Sequence, residues 1–151
     1  MDNTSFKERL YLHCKKLMNE KVLSLQQTMN QLTEAANSET KSSVGDKHET
    51  ARAMMQLEQE KLSRQINEAL QLQSDLNSLH LNPLIAVGKG SLVSTNRELI
   101  FIAIPIGKIE FEQHTVIVIS DKSPLALKFA GLNKDSLVDF NGVNYTINLI
   151  Q

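Results

Sequence analysis

Two carboxylates three residues apart are the chain's most chemically suggestive pair. They stand in Gly45-Asp46-Lys47-His48-Glu49-Thr50. Oxygen ligands suit Mg²⁺, and a site with one or two protein carboxylates is completed by other groups. The same spacing also describes a capping box, with Asp46 as N-cap and Glu49 at the third helical position. One geometry can serve both purposes. Other nucleophiles and ligands are less promising. Cys14 falls on an apolar helical stripe and reads as a small core residue. His13, His48, His80 and His114 are scattered without metal-ligand spacing. No Cys-His-Asn or Ser-His-Asp order and no Gly-rich phosphate loop is present. Met54 and Met55 sit at helical spacing and are expected to pack rather than to bind.

The acids lie between two amphipathic segments. Phe6, Leu10, Cys14, Leu17, Leu25, Met29, Leu32 and Ala36 recur at steps of three or four, with Lys21 as a polar skip. Ala51, Met55, Leu62, Ile66, Ala69, Leu76 and Leu79 form a second stripe, with Glu58 as its skip. The polar stretch 37–46 between them holds the only glycine before residue 88. Two stripes of matching length joined by a turn predict an antiparallel helical hairpin, on the order of 45 Å long at ~1.5 Å per residue.

After residue 80 the composition changes. All three prolines and five of the six glycines lie there, among many β-branched residues. Strands are expected at Leu92–Thr95, Leu99–Ile104, Thr115–Ser120, Leu137–Phe140 and Val143–Leu149. Asn141-Gly142 predicts a type I′ hairpin turn. Ser123-Pro124 predicts the N-cap and first position of a short helix that Gly131 ends. The fold class is therefore α+β. Residues 1–80 are expected to form a coiled-coil hairpin with an acidic tip at 45–49, and residues 81–151 a β-rich domain with one short helix.

Lys and Arg number 16 against 17 Asp and Glu, a net charge of −1 over 151 residues. With no basic surplus, independent binding to DNA through phosphate neutralisation is not expected. No apolar run approaches the ~18 residues of a membrane span, and no signal-peptide core opens the chain. The single cysteine excludes an intramolecular disulfide. A cytoplasmic protein without membrane association is expected.

The tip and the second half together resemble the Gre-type transcript cleavage factors of bacterial RNA polymerase. The family tip reads Gly-Asp-Leu-Ser-Glu-Asn-Ala-Glu-Tyr. Here the chain has Gly45-Asp46-Lys47-His48-Glu49-Thr50-Ala51-Arg52-Ala53. Gly90-Ser91-Leu92-Val93, Ser123-Pro124-Leu125-Ala126 and the closing strands resemble the family's FKBP-like domain. The resemblance implies a transcription elongation factor that inserts its coiled coil into the polymerase's secondary channel. Asp46 and Glu49 would there help hold a Mg²⁺ shared with the polymerase, which hydrolyses backtracked RNA. On this reading the chain is not itself an enzyme, and it touches the RNA 3′ end only within the polymerase complex. Lys47, Arg52, Ser123, Pro124 and Leu125 are the implied partner contacts. Thr50 replaces the family's Asn, and Leu57 stands where a basic residue is usual. A secondary-channel regulator without cleavage is the alternative. A chaperone or prolyl isomerase is the alternative from another class, and the lack of Trp weighs against the isomerase.

Overall fold

The computed structural model describes residues 4–39 and 45–151; the side chains at 39 and 45–48 lie outside that description. Two long helices, α1 (Phe6–Glu39) and α2 (Gly45–Asn77), are followed by a six-stranded sheet with one short helix. The strands are β1 (Leu92–Thr95), β2 (Leu99–Ala103), β3 (Gly107–Phe111), β4 (His114–Ser120), β5 (Leu137–Phe140) and β6 (Val143–Ile150). The short helix α3 is Pro124–Phe129. Two compact units divide the chain. One is Cys14–Ser74; the other joins residues up to His13 with Asp75–Gln151.

The unit Cys14–Ser74 is a helix pair. Cys14, Met18 and Val22 of α1 are buried, as are Leu62 and Ala69 of α2. In α2 the shielded positions Met55, Gln59, Leu62, Ile66 and Ala69 alternate steps of four and three, the seam of a coiled coil. Gln73, four residues on, donates its amide to Asn19 across the pair. The seam differs from the expected stripes at three points. Met18 rather than the neighbouring Leu17 is the buried residue in α1. Val22 rather than the neighbouring Lys21 enters it in α1, and Gln59 rather than Glu58 in α2. Adjacent helical residues are about 100° apart, so only one of each pair can face the partner. For the same reason Met55 is half-buried and Met54, expected to pack, is 66% exposed.

In the other unit the sheet order is β3-β4-β2-β1-β6-β5, antiparallel except for β2 with β4. Strand β3, with alternating shielded and exposed residues, is an addition to the expected set. Both its neighbours are short loops, and its Gly and two charges conceal the apolar alternation. One face of the sheet carries Val93, Ile100, Ile102, Val138, Tyr145 and Ile147, which form a cluster with Ala126 and Phe129 of α3. Ser123 caps α3, accepting from the Ala126 N–H at 3.3 Å, and Pro124 opens it. The expected turn at Asn141-Gly142 has φ of 52° and 79°, as a type I′ turn requires.

The opposite face carries Leu92, Phe101 and Val118, paired side by side across three strands and all buried. The first two turns of α1 cover it. Ser5 caps this helix, accepting from the Glu8 N–H at 3.2 Å. Phe6 and His13 then meet Phe111 of β3, with ring centroids 5.6 and 4.8 Å apart. Leu10, between them on the same side of the helix, is fully buried. The Tyr11 hydroxyl donates to the Leu76 carbonyl at 2.9 Å, fastening the end of α2 beside it. At Gly90 (φ 93°) the backbone passes so close to the His80 carbonyl oxygen that a Cβ would lie 2.2 Å from it.

Candidate functional site

The acidic pair falls where α2 begins. The helix of 33 residues opens at Gly45, so Asp46 is its second residue and Glu49 its fifth, not the N-cap and third position of the expected capping box. Unpaired N–H groups and the positive end of the helix dipole favour carboxylates there. Glu49, Thr50 and Arg52 are exposed. The side chains of Asp46 and Lys47, both expected to contribute, lie outside the described residues. Glu49 is an oxygen donor of the kind Mg²⁺ takes, and two such carboxylates make a partial ligand set that another molecule must complete. Among the described residues, no group of three His, Cys, Asp or Glu could hold a metal ion.

Past the tip, Leu57 is 65% exposed and follows Met54 by three residues. Neighbours at that spacing share one side of a helix. The helical spacing of Met54 predicts packing, so the sequence pattern does not reveal this apolar surface.

Ser123, Pro124 and Leu125 form the first turn of α3, in the unit that contains the sheet. Their exposure differs. The Ser123 hydroxyl is engaged in the cap and Leu125 packs against the apolar cluster, while Pro124 is exposed. The next residues outward are Leu127, 62% exposed, and Lys128.

A polar clamp that sequence reasoning did not find lies on the β3–β4 turn. Arg9 of α1 meets Glu112 through two bonds, Nε to Oε1 at 2.8 Å and Nη2 to Oε2 at 3.1 Å. The same guanidinium donates to the Thr4 carbonyl and lies 5.9 Å from the Phe6 ring centroid. Arg9 holds the Glu112 carboxyl below the usual carboxylate range, chiefly by its hydrogen bond. Glu112 and Gln113 both have positive φ, 48° and 66°. Neither is the Asn or Gly that marks such turns in a sequence.

Two buried groups have no role in these sites. Burial pushes the Cys14 thiol up to about 12, so it stays protonated and inert, as expected of a core cysteine. Lys7 is 5% exposed and its ammonium donates to the Leu81 carbonyl at 3.2 Å. Desolvation lowers its pKa.

No described helix is long and apolar enough to cross a membrane. No protein-family model matches the chain, and no curated protein matches it. Among solved structures it is similar to GreA factor homolog 1 (Gfh1) of Thermus thermophilus, at 13% identity and a TM-score of 0.35. That match covers 91% of this chain and 94% of the other. A second structure, of the transcription factor Gfh1, is 14% identical with a TM-score of 0.35, covering 90% and 92%.

Proposed function

We propose that this chain is a transcription elongation factor that binds bacterial RNA polymerase and stimulates Mg²⁺-dependent cleavage of backtracked RNA. One observation carries the reading. The Gly-Asp-x-x-Glu segment coincides with the start of α2, at the end of a coiled-coil pair, in a chain whose other unit is a sheet with a Ser-Pro-capped helix. That is the order of parts the Gre-type resemblance implies. Asp46 and Glu49 supply two carboxylates and leave most of the coordination shell to the polymerase. The chain thus assists a nuclease rather than acting as one. Asp46 and Glu49 would hold part of the shell of a Mg²⁺, which when bound would supply water activation and charge stabilisation at phosphorus. This chain contributes the two carboxylates, at the start of α2. Pro124 and the exposed outer side of α3 are the polymerase contacts on the sheet unit.

A secondary-channel regulator without cleavage is the second reading. Exposed Met54 and Leu57 favour it, since an apolar surface beside the tip suits occlusion better than a grip on RNA phosphates. One experiment separates the readings. The protein is added to core polymerase stalled in a backtracked complex, and binding and release of 3′-terminal RNA are measured together. Binding with release supports the first reading, and binding without release the second. No binding removes both.

A further inference from the structure

The parallel pairing of β2 with β4 has a consequence outside the sites above. Parallel strands start at the same rim of a sheet, and Leu99 pairs with Val116 at that rim. The turns leading into these strands, 96–98 and 112–113, therefore flank one rim. A cavity of about 470 Å³ lies between them.

Its lining includes two donors that have no acceptor among the described residues. Lys108 and Gln113 line the cavity, and neither side chain has a hydrogen bond or ion pair among the described residues. Arg97 is anchored from behind. Its Nε donates to the Asn144 carbonyl at 3.3 Å, and its guanidinium lies 5.8 Å from the Tyr145 ring centroid. That geometry leaves the two Nη groups for a further acceptor. One carboxylate, that of Glu98, also lines the cavity, whereas Glu110 lies outside the lining. Glu98 accepts from the Tyr145 hydroxyl at 3.4 Å and Glu110 from the Thr115 hydroxyl at 2.7 Å. His114 turns Nδ1 to the Glu112 carbonyl at 2.9 Å, so Nε2 is its remaining polar atom. The Arg97 guanidinium, the Lys108 ammonium and the Gln113 amide, set against the single Glu98 carboxylate, match a ligand that offers several acceptors. A tetrahedral oxyanion with several oxygens is such a ligand.

We propose that this rim cavity binds a phosphate-bearing anion. Arg97 takes two of its oxygens through the Nη pair, Lys108 supplies a point charge, and Gln113 donates a neutral hydrogen bond. The site is independent of the acidic tip and lies wholly within the unit that contains the sheet.

The test is titration of the full chain with inorganic pyrophosphate at constant ionic strength, followed by backbone amide NMR shifts. Saturable binding with a Kd on the order of 1 mM is expected. The shifts should centre on residues 95–98 and 113–115. Lys108→Gln is the deciding variant, because Lys108 is exposed and its side chain makes no hydrogen bond or ion pair among the described residues. It should weaken binding by about fivefold or more, since a charge-assisted bond becomes a neutral one. Arg97→Gln should weaken it further, and its unbound spectrum shows whether the start of β6 at Asn144 is kept. Absence of saturation, shifts centred elsewhere, or equal affinity in Lys108→Gln each overturns the proposal.

Discussion

Replacing Leu10 by Ala should destabilise the sheet-containing unit far more than replacing Leu12. Leu10 is fully buried, whereas Leu12 is 56% exposed. The substitution removes three carbons. At about 0.8 kcal/mol per buried methylene this amounts to roughly 2.4 kcal/mol. Phe6 and His13 on either side are held against Phe111, so the helix cannot easily settle into the gap. The residual cavity raises the expected loss to about 3–4 kcal/mol. Leu12→Ala should cost no more than about 0.5 kcal/mol. Urea unfolding followed by tyrosine fluorescence measures this directly. The chain has two tyrosines and no Trp, and Tyr11 and Tyr145 both belong to the sheet-containing unit. The signal is therefore blind to the rest of the helix pair. The midpoint should fall in Leu10→Ala with the slope unchanged. A loss below about 1 kcal/mol, or a larger loss in Leu12→Ala, would refute the claim that the first turns of α1 cover the second face of the sheet.

Two further outcomes follow from individual contacts. Gly90→Ala should destabilise by about 2 kcal/mol or more, through a positive φ and a Cβ forced against the His80 carbonyl; a thermal melt equal to wild type would count against that close approach. Glu112, held below its ordinary value by Arg9, contributes stability above that ordinary value and loses it as pH falls through the lowered one. The stability gap between wild type and Arg9→Gln should therefore shrink as pH falls from about 5 to 3, and a gap constant across that range contradicts the clamp.

The helices and most strands were legible because each shows its own period. Steps of three and four marked α1 and α2, and the type I′ turn followed from Asn141-Gly142. Three features were not legible. The cover of the second sheet face depends on Phe6, Leu10 and His13 meeting Phe111, which stands about a hundred residues away in sequence. The β3–β4 turn takes positive φ at Glu112 and Gln113, residues with no intrinsic preference for it. Its support comes from Arg9, which local pattern cannot reveal. Exposed Met54 was hidden by its neighbour Met55, since a stripe drawn through either looks the same. At the candidate site, the spacing of Asp46 and Glu49 marks the pair but names no ligand, because a Mg²⁺ shell would be completed by groups outside this chain.

The most direct measurement is release of RNA from a stalled, backtracked polymerase complex at saturating Mg²⁺, with wild type, Asp46→Asn, Glu49→Gln and the double variant. Each amide keeps the side chain's shape at the start of α2. The loss of helix-dipole stabilisation is about 0.3–1 kcal/mol, so folding survives. Binding to polymerase should survive as well, because the rest of the chain is untouched. Amides hold Mg²⁺ more weakly than carboxylates, so wild type should release RNA and each amide variant should lose most of that stimulation. No release by wild type above polymerase alone contradicts the cleavage account. Release by the double variant equal to wild type leaves the two acids only a favourable place in the helix dipole.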